Sequence, residues 1–458
     1  MPCPALQMIH YTYDNSCLNN NTLISKPSSR SLYGMGIILR KPFDGTRLFY
    51  GWYILGACFL ILFFQSGARF SFGVMFKPMI AQLGWNRASI SSAFFLNMII
   101  FAVTMSIAGR LYDRYGPKWI ILISSVFVSA GYICIAFIDS LWEFYLYYGI
   151  IAAVGVGGAS VPLVAALMSK WFEKGRGLAI SLALCGNCLG QFTLVPLFTF
   201  FVLGYGWRVS YILIGMIIFV VNTILVFSVI KRDPQDLGRK PSRYDDQNED
   251  PARSKKSALD DPLRDLGLKD ALKTYSFWLF LFVMSTCGSG DFLISTHLIP
   301  LATDYGISPS TAGNMLAWFG LLSMGGILIV GPLSDRVGNK ILIALTFLLR
   351  FFLFLLILRY QNLFSFYFFA AAFGFTFLIT APLTTTLVGR MYGFSNVGLL
   401  SGFVTTVHHL AGGFWAYMGG LLFDRTGNYR IIFIISATMA LIAFVCSIFI
   451  REKRQYIR

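Results

Sequence analysis

GRLYDRYGPK at residues 109–118 returns as GPLSDRVGNK at residues 331–340, a shift of 222 positions from Gly109 to Gly331. Without a gap, the same shift carries Asp113 onto Asp335, Arg114 onto Arg336, Gly116 onto Gly338 and Lys118 onto Lys340. Outside the decapeptides it carries Gly84 onto Gly306 and Pro78 onto Pro300. Each decapeptide is a short charged turn between two long apolar stretches, so the chain reads as two copies of one helical bundle.

The composition names the solvent of those bundles. Of 458 residues 56% are apolar and only 13% charged, with a mean hydropathy of +0.66. A water-soluble core has no use for that much apolar surface. The 44 phenylalanines suit helices that face lipid. The net charge of +16 is confined to short segments between apolar runs, which excludes a nucleic-acid-binding reading. Cys58, Cys134, Cys185, Cys188, Cys287 and Cys446 lie within apolar runs, where a thiol acts as a small hydrophobe, and no disulfide framework is expected. Cys185 and Cys188 imitate a redox pair without its fold context.

A membrane-spanning helix needs about 20 apolar residues. Charged and Gly/Pro punctuation predicts twelve: 52–76, 88–108, 119–138, 143–168, 178–201, 208–230, 276–302, 311–331, 341–358, 363–388, 396–422 and 430–450. The expected fold is an all-α membrane protein, two pseudo-symmetric six-helix bundles at 49–230 and 276–450. Residues 1–48 lack a signal-peptide core and are expected to form a disordered tail or an over-long start; 231–275, dense in both charges, reads as a solvated linker. A short tail, 451–458, closes the chain. The side holding termini and linker carries 29 Lys and Arg, the other side 6 (Lys77, Arg87, Arg208, Arg359, Arg425 and Arg430). That asymmetry places both termini and the linker in the cytoplasm of a multi-pass cell-membrane protein.

The pattern G-x-x-x-D-R-x-G, between the second and third helices and again between the eighth and ninth, resembles the signature loop of the major facilitator superfamily. YGWYILGACFLILFFQSGARFSFGVMFKPM (50–79), WFEKGRGLAISLALCGNCLG (171–190) and STHLIPLATDYGIS (295–308) resemble its monocarboxylate and oxalate/formate branch. The resemblance covers roughly residues 50–450. It implies transport of a small organic anion, often with a proton, and charge pairs at the signature loops (Gly109, Asp113, Arg114, Gly116, Gly331, Asp335, Arg336, Gly338) that break as the two halves rock. It also brings the branch's first-helix Lys, a substrate contact, within about one residue of Arg69. One departure stands out: where carriers of that branch have an eighth-helix Arg, four residues before the signature glycine, this chain has Ile327.

An ionisable group at the bilayer centre costs several kcal/mol, so each one marks a functional position. Arg69, Asp291, His297 and Arg350 stand out. The shift of 222 carries Arg69 onto Asp291. Two bundles facing across a cavity are expected to bring them together as an ion pair that substrate or proton breaks, the alternative being a static structural pair. His297 is expected as a proton relay or anion contact, or else as a satisfied histidine at a helix end. Arg350, on a peripheral helix, is expected to pack or snorkel. Of the adjacent His408 and His409, at most one is expected to face the cavity. Asn97, Asn187 and Gln191 are expected to be polar cavity contacts or helix-to-helix bonds.

Energy for transport must come from a solute or ion gradient, since no phosphate-cradling Gly-x-x-x-x-Gly-Lys-Ser/Thr loop occurs. Neither paired carboxylates, a nucleophile with its base, nor clustered metal ligands are legible, so neither an enzyme, a cofactor nor a metal is expected. The expected partners are an anionic small molecule, a proton or counter-solute, and the lipid bilayer. Nucleic acid is not among them, and a monomer is expected. The alternatives are a carrier of a non-carboxylate metabolite or drug and a transporter-like solute sensor.

Overall fold

The computed structural model describes residues 49–172, 176–231, 266–393 and 396–452. Among the described residues, ten helices are long and apolar enough to cross a membrane. One of them, Gly177–Ser228, has 52 residues and would reach about 78 Å as a straight rod, more than twice a ~30 Å hydrocarbon core. It turns at Gly206, whose φ of 84° is closed to most side chains, and therefore counts as two helices. Val397–Thr426 has 30 residues, and His408, His409 and several glycines dilute its apolar run. With it the number is twelve: α1 Tyr50–Leu83, α2 Arg87–Tyr115, α3 Pro117–Ile135, α4 Leu141–Trp171, α5 176–205, α6 207–228, α7 Tyr275–Asp304, α8 Pro309–Val337, α9 Asn339–Arg359, α10 Leu363–Tyr392, α11 Val397–Thr426 and α12 Arg430–Phe449.

The duplication is visible in the backbone. Gly84 and Gly306 end α1 and α7 at φ 69° and 79°, and Gly116 and Gly338 sit in the signature loops at φ 83° and 91°. Pro78 and Pro300 lie inside α1 and α7. The equivalent helices α4 and α10 are both interrupted, at Ala159 (φ −108°, ψ 35°) and at Leu378, and Pro162 and Pro382 follow within one turn. Proline cannot donate to the preceding turn, so the breaks fall where its chemistry puts them. Within the first half α1 packs on α5 and α3 on α6; the halves meet along α2–α11, α5–α8 and α1–α7.

Close approach is set by glycine. A Cβ on Gly186 would strike the Phe59 carbonyl, and one on Gly288 the His408 carbonyl. Gly155 and Gly158 of α4 lie against Val128 and Ser124 of α3, and Gly420 of α11 against the Arg87 carbonyl. Packing of this kind, with no hydrophobic drive between helices in lipid, holds membrane bundles together.

The end of the molecule that carries residues 49, 231, 266 and 452 is called the linker end below, and the other the far end. At the linker end residues 266–274 are docked rather than solvated: the Leu266 amide donates to the Tyr392 carbonyl (3.0 Å), and Leu266 and Leu272 pack on the apolar core. The tail 1–48 and linker positions 232–265 lie outside the described residues.

Candidate functional site

Arg69 stands at the bend of α1, two residues before Ser71, whose hydroxyl bonds back to the Gly67 carbonyl (2.7 Å) and loosens the helix there. Its guanidinium donates to the Met98 sulfur (3.2 Å) and lies over the rings of Phe101 (4.8 Å) and Phe292 (5.2 Å). Among the described residues, no carboxylate pairs with it. Beside it is a small cavity between the halves, walled by Arg69, Phe70, Phe72 and Phe94 from the first half and by Phe292, Ser295 and Thr296 of α7.

The expected Arg69–Asp291 pair is not formed. Asp291 Oδ1 meets Arg350 of α9 at 2.7 Å, a charge pair rather than an aligned hydrogen bond, with both side chains at most 2% exposed. Arg350 further donates from Nε to the Thr376 hydroxyl (3.0 Å) and from Nη2 to the Thr376 carbonyl (3.2 Å), and stacks on Phe373 (4.5 Å). The physical reason is distance. A buried carboxylate takes the nearest cation, and Arg350 reaches inward from α9 on the buried face it shares with Phe347 and Phe354. The expectation that Arg350 merely packs or snorkels is corrected with it.

His408 Nε2 lies 3.8 Å from Asp291 Oδ2, and the Cys287 thiol donates to the same oxygen (3.4 Å). Cys287, Asp291 and His408 bring possible metal ligands within 4.8 Å of one another. Arg350 Nη1, 3.5 Å from the Cys287 sulfur, already supplies the positive charge there, so a metal ion would have to displace a guanidinium. His409, against Phe101 (4.8 Å) and Phe292 (5.4 Å), faces the other half, while His408 faces Asp291.

His297 is placed away from the cavity. It is 1% exposed, with Nε2 2.8 Å from the Ala416 carbonyl and Nδ1 2.9 Å from the Tyr429 hydroxyl. A carbonyl can only accept, so in the neutral ring Nε2 carries the proton and Tyr429 donates to Nδ1. Both ring nitrogens are engaged, which corrects the expectation of an anion contact.

Tyr429 leads to a network that sequence reasoning missed. Arg87, at the start of α2, forks onto Asp304 at the end of α7 (2.8 and 2.9 Å) and donates to Tyr429 (2.7 Å). Lys77 reaches the same Asp304 at 2.6 Å, and Asp424 accepts from the Arg87 and Ala88 amides (3.2 and 2.7 Å), capping α2 from α11. The first half supplies the cations and the second the carboxylates, so the network bolts the halves together at the far end. The readable signal was four charges of opposite sign at helix ends on the side poor in Lys and Arg.

The other polar residues divide. Asn97 donates to the Tyr148 carbonyl (2.7 Å), a tether between α2 and α4, and Gln191 to the Leu316 carbonyl (3.0 Å), a tether between the halves. Asn187 is half-buried without a hydrogen-bond partner among the described residues. In the signature loops Arg114 stacks on Tyr115 (5.2 Å), and the Asn339 amide beside Gly338 donates to Glu452 (3.2 Å). The side chain of Asp335 lies outside the described residues.

The profile of the Major Facilitator Superfamily matches residues 58–301 and 280–456. The chain belongs to that superfamily. Monocarboxylate transporter 13 of Bos taurus is 24% identical over 407 residues, covering 88% of each chain. The oxalate:formate antiporter of Oxalobacter formigenes is 22% identical over 405 residues, covering 87% of this chain and 91% of its own. Among solved structures, a bacterial homologue of the human lysosomal transporter Spinster, inward-facing and occupied, superposes with a TM-score of 0.66 at 15% identity, over 88% of this chain and 97% of that one. As a superfamily member the chain is a multi-pass membrane transporter. The charges described above fall into a cation beside the central cavity, a neutralised pair inside the second half and a bolt at the far end.

Proposed function

We propose that this protein is a secondary active transporter of a small organic anion, working by alternating access with proton coupling, and that Arg69 is the residue that holds the anion. The observation that carries this is a half-buried guanidinium, midway along α1, with a sulfur and two ring faces for company and no carboxylate partner among the described residues. A guanidinium keeps its charge in any protein and desolvation is costly, so a counter-ion delivered from solution is the natural complement. Similarity to monocarboxylate and oxalate:formate carriers supports an anion. The 29-to-6 distribution of Lys and Arg supports a cytoplasmic linker end, so the bolted far end is the external one.

Asp291 is the proton-coupling group in this reading, with His408 beside it at 3.8 Å and Arg350 as the cation released when it is protonated. The signature loops and the bolt are the parts that break and reform as the halves rock. The test is a panel of solutes screened by thermal shift on the purified protein, wild type against Arg69→Ala. An anion that stabilises only the wild type supports the assignment. If the variant is stabilised equally by the transported solute, Arg69 is not the anion contact and the reading fails.

A further inference from the structure

We propose that the ligand of the central cavity is a monoanion with a flat apolar body, an aryl or heteroaryl monocarboxylate, and that Phe292 selects it. The proposal rests on the anion reading above and narrows it.

Two polar groups on the cavity wall lack acceptors or donors of their own. Arg69 has five N–H donors and, among the described residues, only the Met98 sulfur, a weak acceptor, within hydrogen-bond reach. The Thr296 hydroxyl, on a residue 1% exposed, has no hydrogen-bond partner among the described residues. Ser295, the remaining polar wall residue, is committed to the Phe292 carbonyl (3.4 Å). A planar group that accepts from a guanidinium and from one hydroxyl is a carboxylate.

The rest of the wall is aromatic: Phe70, Phe72, Phe94 and Phe292. Phe70 and Phe292 are themselves related by the 222-residue shift, each following the repeat-equivalent charged residue, Arg69 or Asp291. Phe292 is the hub. Its ring touches the Arg69 guanidinium (5.2 Å), Phe94 (6.0 Å), His408 (5.7 Å) and His409 (5.4 Å). The cavity as it stands has space for about one water molecule, so a ligand enters by parting these rings and then stacks on what it parted.

A second negative charge would find no partner. The two buried arginines are already committed, Arg350 to Asp291 and Thr376 and Arg87 to Asp304 and Tyr429. Ile327 of α8 is buried and apolar and supplies no charge. A dicarboxylate would leave one charge desolvated and unpaired, which is strongly unfavourable.

The experiment is competition against radiolabelled benzoate uptake in proteoliposomes, with thermal shift on the same panel: benzoate, indole-3-acetate, acetate, lactate, oxalate and succinate. Benzoate and indole-3-acetate are expected to compete at about fivefold to tenfold lower concentration than acetate or lactate, the worth of one aromatic contact, and the two diacids not at all. Phe292→Leu, which keeps apolar volume and loses the ring face, is expected to erase that preference while acetate still binds. Equal competition by acetate or lactate, effective oxalate, or an unchanged preference in Phe292→Leu overturns the proposal while leaving the anion assignment standing. Loss of the assignment itself would show differently, as benzoate binding retained in Arg69→Ala or no carboxylate binding to the wild type. Should Phe292→Leu fail to fold, the wild-type ranking alone decides.

Discussion

Asp291 and Arg350 face each other at 2.7 Å inside the second half, while Arg69, at the position equivalent to Asp291 in the first half, meets no carboxylate among the described residues. The duplication thus ends in chemical asymmetry: one half neutralises its own buried charge and the other keeps a cation at the interface. Had Asp291 paired with Arg69, an incoming anion would have had to compete with a resident carboxylate. Because Arg350 satisfies Asp291 from within its own half, Arg69 is left to the cavity.

Removing Asp291 should therefore harm the fold before it harms binding. Asp291→Asn leaves Arg350 buried without a counter-charge, a loss of about 3–5 kcal/mol for a broken buried pair. The double variant Asp291→Asn with Arg350→Met removes both charges and should recover much of that loss. Thermal unfolding of the detergent-purified proteins measures it. Single and double variants melting together would mean that the loss does not come from leaving Arg350 without its counter-charge.

The fold is legible because duplication and apolar length are properties of sequence alone: the 222-residue shift puts Gly84 and Gly116 in register with Gly306 and Gly338, and all four hold positive φ. The site was half legible. Arg69 and Asp291 are equivalent, but equivalence does not say which way a side chain points. Arg350 could not be assigned a face, since ILIALTFLLRFFLFLL (341–356) is apolar all round and carries no amphipathic stripe to orient it. The bolt escaped because Lys77, Arg87, Asp304 and Asp424 looked like ordinary loop charges. Their partners are more than 200 residues apart in sequence and become neighbours only where the folded halves meet.

Gly288 sets the distance between α7 and α11. Its added Cβ would strike the His408 carbonyl, which is backbone and cannot swing aside. Gly288→Ala should push α11 away from α7, disturb the His408–Asp291 contact and destabilise the protein by about 1–3 kcal/mol, as overpacking does. Gly402 of α11, where an added Cβ would meet no other described group within 4 Å, is the control, and Gly402→Ala should be neutral or slightly stabilising. Equal melting temperatures for the two variants would refute the close-approach argument.

Arg390 and Glu452 make a contrast at the linker end. Their 3.0 Å pair is largely exposed on the arginine side, at 41%, so its Coulomb gain is screened by water. Glu452→Gln should shift stability by no more than about 1 kcal/mol. The same measurement on Asp291→Asn provides the scale. A loss at Glu452 as large as that at Asp291 would mean that the linker-end clasp, including the Asn339 amide, carries structural weight that its exposure does not suggest.

Asp304 is the point through which the far-end bolt should open. It receives Lys77 and both guanidinium nitrogens of Arg87, so neutralising this one carboxylate loosens three contacts between the halves at once. Asp304→Asn keeps the size of the side chain and one acceptor oxygen but removes the charge. The bolt exists only when the far end is closed, so its loss destabilises the closed state without touching the open one, and the population shifts toward far-end-open. A change of about 1.4 kcal/mol is tenfold in that equilibrium. A cysteine placed at Ser295, on the cavity wall, reports it: a membrane-impermeant maleimide added from the far-end side should label Ser295→Cys about tenfold faster when Asp304→Asn is also present, over the background of the same protein without that cysteine. Tyr429→Phe, which removes the hydroxyl joining Arg87 to His297 and leaves Asp304 charged, should give a smaller increase. Labelling that is no faster in Asp304→Asn, or faster only from the linker end, would mean that these contacts hold a surface in place and gate nothing.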